Sequence, residues 1–553
     1  MKKISQLLLL SLCLLSPQAL AKKHSVTPDF WKNATVYFML TDRFNNGDKS
    51  NDVNYGRTKE AAVLRGFEGG DIRGIIEKIE QGYFSDLGVD AIWMTPVIEQ
   101  IHGYDESAGL TYPYHGYWPK DWTSVDANFG SEAELKEMIT AAHKRNIKVI
   151  IDVIINHTGP ETKQDWAWPS DWVRTRPLCD WSSYEQNVNC ALATSLTDIK
   201  TEKEQAVELP TQLIEKWQSE GRLAQEVAEL DAFFKRTGYP RAPKYYIVKW
   251  LTDWVKEYGV DGFRVDTAKH VEADIWHVLK KESELSFASW KINNPELVQD
   301  DLPFYMVGEV FNWGVNGFKN TVKNSRAYDY GDKHIDFFDY GFDALINMGF
   351  VVHASQSAEQ IFSDYSYRLN QGELKDKGIL NYIGSHDDHD SYDRHREKSF
   401  DTAFKLMLAP GGVQIYYGDE LARPMFAAKE AHGDTHMRTF MNWQDLNKKE
   451  TRRLLAHWQK LGKFRQAHDA VGAGVHMKIS DVPYVFKRTL GNRDVILAGK
   501  GFTAGKKVIN VQSAFSDGDT VFDYYSLKYL PVINGKVTLD SDFSYVLLGK
   551  KGE

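Results

Sequence analysis

The stretch GVDGFRVDTAKH, residues 259 to 270, decides how the rest of the chain is read. Its centre alternates. Phe263 and Val265 fall on one face of a strand and Gly262, Arg264 and Asp266 on the other, because successive side chains point to opposite sides. A half-buried strand normally shows its polar face to water, so a cation and an acid there are unremarkable alone. They become chemistry if other carboxylates converge on them.

Just upstream, Ile247, Trp250, Leu251, Trp254, Val255 and Tyr258 follow the i, i+3, i+4, i+7, i+8, i+11 spacing of an amphipathic helix that feeds into this strand. Similar apolar runs recur at TVYFML (35–40), VDAIWM (89–94), IKVIIDV (147–153), FYMVGEV (304–310), ILNYIGSHD (379–387) and GVQIYYGDE (412–420). Buried runs alternating with helical stretches predict a parallel sheet. A weaker run, IDFFDYGFD (335–343), brings the number to eight, which closes a (β/α)8 barrel of the α/β class. The segment between Asp152 and Val260 is far longer than an ordinary barrel connection, and residues 157–243 are expected to form an inserted subdomain. Beyond residue 468 the pattern changes to VPYVFKR, DVILAG, KKVINV, TVFDYY, KVTLD and SYVLLG, short alternating strands joined by Gly, Asn and Asp turns. That pattern predicts a C-terminal antiparallel β-sandwich over 469–553, with the barrel divided between 22–156 and 244–468.

At 553 residues the chain exceeds the roughly 250–300 at which a single core stops growing, in keeping with one large domain and smaller additions. MKKISQLLLLSLCLLSPQALA has two lysines, an apolar run and the small-residue site Ala19-Leu20-Ala21, the form of a secretory signal peptide cleaved after Ala21. No later run approaches the roughly 20 apolar residues of a membrane span. A periplasmic or secreted protein without membrane attachment is expected. The formal net charge of −9, more acidic still without Lys2 and Lys3, argues against nucleic acid and anionic membranes. Cys13 would leave with the leader, so Cys179 and Cys190 remain as one possible disulfide or as two buried thiols. A monomer is expected.

In a (β/α)8 barrel the side chains at the C-terminal ends of the strands meet on one open face. Here those ends carry Asp152, Asp266, Glu309 and Asp387. One such acid reads as a cap or turn residue; four converging by topology do not. Like charges held together need a shared proton or an intervening cation, and Arg264 is the cation available. Two residues from Asp266 on the same face, it is expected to keep that carboxylate ionised while Glu309, less compensated, keeps its proton. A carboxylate facing a carboxylic acid is the equipment of a retaining glycosidase. Asp266 is therefore read as nucleophile, Glu309 as acid and then base, and Asp387 as transition-state stabiliser.

DVIINH (152–157), GFRVDTAKH (262–270), GEV (308–310) and SHD (385–387) resemble, in order, the motifs of the α-amylase family of glycoside hydrolases. YHGYW (114–118), DAIWMTPV (90–97) and GVQIYYGDE extend the likeness over nearly the whole barrel. EQIHGY and VDGFRVDTAKHVE are similar to the bacterial periplasmic members. The resemblance implies an α-glucan substrate. It further implies that Tyr117 stacks on the sugar beside the cleaved bond, and that His115, Trp118, His157, Arg264 and His386 line the same pocket. Lys269 and His270 would reach the leaving-group side.

It also implies calcium, which prefers oxygen ligands. Asn156, Asp198 and the backbone carbonyl of His270 resemble the family site between barrel and insertion. NNGDKSND (45–52) with GGD (69–71) resembles a calcium site of cyclodextrin glycosyltransferases, with Asn46, Asp48, Asn51, Asp52, the Gly69 carbonyl and Asp71 as ligands. The chain departs from the pattern at Ser385, where many members have Asn, and at Thr197, where Pro is common. Hydrolysis of internal α-1,4 bonds is the expected activity. Cyclodextrin hydrolysis, transglycosylation and a catalytically silent sugar-binding barrel are the alternatives; the single domain after the barrel favours hydrolysis over cyclisation, and the complete acid set disfavours the silent barrel.

Overall fold

Eight parallel strands close into a barrel in the computed structural model, which describes residues 26–551; the expected leader at 1–21 lies outside them. The strands are β1 (Thr35–Met39), β2 (Ala91–Met94), β3 (Lys148–Val153), β4 (Gly262–Val265), β5 (Tyr305–Gly308), β6 (Ala344–Asn347), β7 (Gly378–Asn381) and β8 (Gly412–Tyr416). Their residues are buried throughout, as continuous apolar runs in a parallel sheet require.

The opening stretch explains its own placement. Helix Pro243–Tyr258 starts on proline, whose missing N–H costs nothing at that position, and ends at Gly259, whose φ of +76° suits a residue without Cβ. The Trp290 ring packs against Gly259 so closely that any side chain would collide with it. Of the two aspartates that follow, Asp261 is structural: its carboxylate accepts from the Val149 backbone N–H at 2.8 Å and lies 2.8 Å from His143 Nε2. Phe263 and Val265 are fully buried outside the barrel wall. The opposite face of β4 looks into the barrel, so Arg264 is buried, not solvated.

The sixth strand lies at Ala344–Asn347, just beyond the expected IDFFDYGFD run. Asp336 accepts from Phe338 N–H and starts a 3-10 turn over Phe337–Tyr340, and Gly341 at φ +101° ends it. The continuous apolar triplet Ala344-Leu345-Ile346 forms the strand instead.

Between β3 and β4 the insertion carries a small antiparallel sheet, Thr197–Ile199 flanked by His157–Thr158 and Val173–Arg174, and the helices Glu185–Val188, Thr211–Ser219 and Leu223–Thr237. Cys179 and Cys190 are joined as a disulfide within it. After the barrel, a six-stranded antiparallel sheet faces a two-stranded one, Gly505–Asn510 with Lys536–Ser541. Val485, Leu497, Val546 and Leu548 fill the space between these sheets. Their strand neighbours Phe486, Ile496, Ala498 and Leu547 join the core of the barrel.

Candidate active site

Three neighbouring strands build the centre of the site. Asp152 on β3 is directly in register with Arg264 on β4, which is in register with Val307 on β5, so residues two further along each strand face the same interior. Arg264, 1% exposed, spans the group. Its Nη1 lies 2.8 Å from Asp152 Oδ1 and 2.8 Å from Asp266 Oδ1, and its Nη2 lies 3.0 Å from Glu309 Oε2. The expectation that the guanidinium favours Asp266 alone is corrected: its fork reaches the adjacent strand as readily as its own. Backbone bonds continue the ladder past the strand ends, Asp266 N–H to Val153 O at 3.0 Å and Glu309 N–H to Val265 O at 2.9 Å, and so fix both carboxyl groups.

Burial pushes the carboxyls of Asp266 and Glu309 up; Arg264 partly offsets this for both, and the nearby Asp387 raises both further. Burial also lifts Asp152, to about 7, against the pull of Arg264. Asp387 differs. Burial opposes its ionisation too, but His386, Arg438 and Arg264 together hold it far below the ordinary carboxylate range. It sits on the loop after β7, with its backbone N–H 3.2 Å from Ser385 Oγ, so the residue that departs from the family pattern holds the acid's main chain.

Tyr117 connects these groups. Its hydroxyl donates to Asp152 Oδ2 at 2.8 Å, beside the Trp93 indole N–H at 3.1 Å, and its ring stacks on His386 at 5.3 Å. His386 Nε2 lies 2.9 Å from Asp387 Oδ2. His115 Nδ1 accepts from Tyr117 N–H at 3.0 Å, and His157 Nε2 lies 3.1 Å from the Tyr117 carbonyl. Trp118 packs edge-on against His115, and its backbone N–H donates to Gln100 Oε1 at 2.7 Å. Burial lowers His115 well below its usual range and His157 to about 4, so both are neutral imidazoles at pH 7.

Lys269 and His270 follow Asp266 on a short 3-10 turn tied to Glu309 by the Ala268 N–H to Glu309 O bond of 2.9 Å. They open onto a cleft of about 450 Å³ walled by Trp181, Phe311, Tyr328 and Tyr330. Lys269 Nζ donates to Tyr328 OH at 2.9 Å, and burial lowers the amine to about 8. Burial takes His270 to about 3, its Nδ1 lying 3.0 Å from the Asn187 carbonyl. Trp181 and Phe311, 51% and 42% exposed, present apolar rings at the mouth.

The expected calcium ligands are gathered in part. Asn156 and Asp198 are neighbours, since the Ile199 N–H bonds the Asn156 carbonyl at 2.8 Å and His157 pairs with Asp198. Asp198 is buried with Oδ1 lacking any donor, and burial lifts its carboxyl to about 8; Arg174 Nε lies 2.8 Å from the other oxygen. In the second cluster Asn46 Nδ2 bonds Asp52 Oδ1 at 2.8 Å, Gly69 lies against both, and the amide oxygens of Asn46 and Asn51 are buried without a donor. Oxygens left without donors in buried polar loops fit a hard cation. Two expected ligands are otherwise engaged. Asp71 caps helix Ile72–Glu80 and accepts from Gly47, Asp48 and Gly74 N–H, while the Asp48 carboxylate turns outward to Ser50. Among the described residues no group of three or more His, Cys, Asp or Glu side chains is arranged to hold a metal.

Asp152 was visible as a strand-end acid without a role, and Trp93 and Arg438 carried no signal at all: one lies inside an apolar run, the other in a loop after β8. Arg438 Nη2 lies 2.5 Å from Asp387 Oδ1.

A closed barrel with carboxyl groups gathered on one guanidinium at its C-terminal end is a glycosidase architecture, and the comparisons agree. The family model described as "Alpha amylase, catalytic domain" matches residues 38–474. The chain is 35% identical to the periplasmic alpha-amylase of Escherichia coli (strain K12) over 544 residues, covering 87% of this chain and 74% of that one. It is 25% identical to the cyclomaltodextrin glucanotransferase of Thermoanaerobacterium thermosulfurigenes over 500 residues, covering 84% of this chain and 59% of that one. An Anoxybacillus alpha-amylase structure superposes with a TM-score of 0.63 at 22% identity, over 95% of this chain and 99% of that one, a likeness of fold. The chain belongs to the α-amylase family of glycoside hydrolases. No helix among the described residues is long and apolar enough to cross a membrane.

Proposed function

We propose that this enzyme hydrolyses α-1,4-glucosidic bonds in starch and maltodextrins with retention of anomeric configuration. Asp266 attacks the anomeric carbon while Glu309 gives its proton to the departing glycosidic oxygen, leaving a sugar ester on Asp266. Glu309, now a base, takes a proton from water as the water oxygen displaces Asp266. Asp387 stays ionised throughout and offsets the positive charge of the oxocarbenium-like transition state. The observation that carries this reading is the single guanidinium in contact with both Asp266 and Glu309. It brings both carboxyl groups to one cation, and a retaining mechanism calls for the pair to stand about 5–5.5 Å apart. The Tyr117 ring offers its face to the apolar side of a glucose unit.

Calcium, if bound, would be held by Asn156, Asp198 and the His270 carbonyl between barrel and insertion, and by Asn46, Asn51, Asp52 and the Gly69 carbonyl in the second cluster. It would supply cross-links between segments and no chemistry at the sugar. Export to the periplasm suits both the disulfide and the first relative.

A second reading, transfer to a sugar acceptor, is favoured by the exposed rings of Trp181 and Phe311, which suit a sugar better than water on the leaving-group side. A product time course on maltoheptaose, soluble starch and a cyclodextrin separates the two. Hydrolysis yields short α-configured maltooligosaccharides from the first two; chains longer than the substrate, or cyclic products, would instead establish transfer.

A further inference from the structure

Asp266 and Glu309 leave directly from strand ends, but Asp387 stands on a loop with its side chain 33% exposed. Nothing in the barrel ladder fixes that carboxylate. Beside His386 Nε2, 2.9 Å from Oδ2, the contact that holds it comes from the segment after β8. Arg438, which follows the 3-10 helix Gly433–Met437, places Nη2 2.5 Å from Asp387 Oδ1 and donates from Nε to the His386 carbonyl at 3.0 Å. One guanidinium therefore grips the acid's side chain and the main chain before it. On its outer side the same Nη2 lies 3.5 Å from Asp434 Oδ2, and Asp434 Oδ1 is 2.9 Å from His389 Nε2, so the clamp is anchored from the surface.

We propose that Arg438 is a positioning residue for the transition-state carboxylate, holding Asp387 in one orientation and ionised beside two other acids. The inference rests on the role assigned to Asp387 above. The groups that bear on Asp387 are His386, Arg438 and Arg264, whose cationic forms favour its charge, and Asp266 and Glu309, which it opposes. His115 is buried and neutral on the same side. Arg264 is already divided among Asp152, Asp266 and Glu309, so Arg438 is the cation committed to Asp387. The geometry needs a fork: a lysine ammonium could meet the carboxylate or the carbonyl, but not both in this arrangement.

The test is a set of variants assayed for kcat and KM on maltoheptaose, with melting temperatures measured alongside: Asp387→Asn, Arg438→Met, Arg438→Lys, and Arg438→Met combined with Asp387→Asn. Arg438→Met should lower kcat about 100-fold with KM changed less than about threefold, because the contact matters in the transition state. Arg438→Lys should recover about tenfold of that loss by restoring charge without the fork. In the Asp387→Asn background, Arg438→Met should cost nothing further, since its target is gone. An equal loss in both backgrounds, or a loss confined to KM, would overturn the proposal. Should Arg438→Met not fold, Arg438→Lys in both backgrounds decides the matter by the same criterion. A wild-type-like Asp387→Asn would overturn the catalytic reading itself; a crippled Asp387→Asn beside an unchanged Arg438→Met would overturn this proposal alone.

Discussion

Arg264 Nη2 and Glu309 Oε2 are 3.0 Å apart, inside a barrel where that arginine also touches Asp152 and Asp266. A buried cation shared among three acids makes the site expensive to alter. Replacing Arg264 by Met should leave uncompensated buried carboxyls and destabilise the fold by about 3–5 kcal/mol, read as a lowered urea midpoint. Arg264→Lys should fold better yet stay at least about 1000-fold down in kcat/KM, because one ammonium cannot span neighbouring strands. Near-normal turnover in Arg264→Lys would contradict the shared-fork account.

The pH profile follows from the same geometry. The proposed mechanism needs Asp266 ionised and Glu309 protonated, so the acid limb of kcat/KM should report the first and the alkaline limb the second, as macroscopic values of a coupled pair. Burial raises both, and the charge of Asp387 raises both further. The alkaline limb should therefore lie above the ordinary carboxyl range. Removing the charge with Asp387→Asn should move both limbs toward acid, measured on the residual activity against an activated aryl maltoside. Limbs that stay in place, or move to higher pH, would show that Asp387 does not act on the pair.

Tyr117 gives its hydroxyl to Asp152, and the proposed function has its ring meet the substrate. The two contributions separate by substitution. Tyr117→Phe keeps the ring and loses one hydrogen bond to a charged partner, about 1.5–3 kcal/mol at most, and should lower kcat/KM by about tenfold to a hundredfold. Tyr117→Ala also loses the stacking face and should fall further, the added loss appearing mainly in KM. Equal effects of the two variants would mean that the ring does not meet the sugar.

Calcium is testable without any assay of activity. If the donor-free oxygens of Asp198, Asn46 and Asn51 hold cations, calcium at a hundredfold excess over Kd should stabilise each site by about 2.7 kcal/mol, and chelation should lower the calorimetric melting temperature accordingly. Asp198→Asn and Asp52→Asn should each weaken calcium binding measured by titration calorimetry. A melting curve indifferent to chelator, with no metal found in the purified protein, would remove calcium from the description.

What the amino-acid pattern revealed and what it concealed divide along physical lines. Strand ends were legible because an acid closing an apolar run is a local signal, as at Asp152, Asp266 and Glu309. The insertion and the sandwich were legible as breaks in that rhythm. The sixth strand was misplaced by a few residues because the aromatic run 335–343 looks strand-like, while the Asp336 cap and Gly341 that turn it into a 3-10 helix are single residues. Arg438 was invisible because its meaning depends on a contact across 51 positions of chain. The sharing of Arg264 with Glu309 was likewise invisible, since register between β4 and β5 is a property of the closed sheet. Asp71, read as a metal ligand, caps helix Ile72–Glu80 in the structure, a second role that the same Gly-Asp sequence serves and that the pattern alone does not show.

The central claim is that Asp266 bonds covalently to the sugar. Incubation with a fluorinated α-glucosyl donor that slows the second step, followed by peptic digestion and mass spectrometry, tests it directly. The account predicts one added glycosyl unit on a peptide containing Asp266, absent in Asp266→Asn. A label on Glu309 or Asp387, or a turnover that releases β-configured product with no labelled peptide, would contradict it.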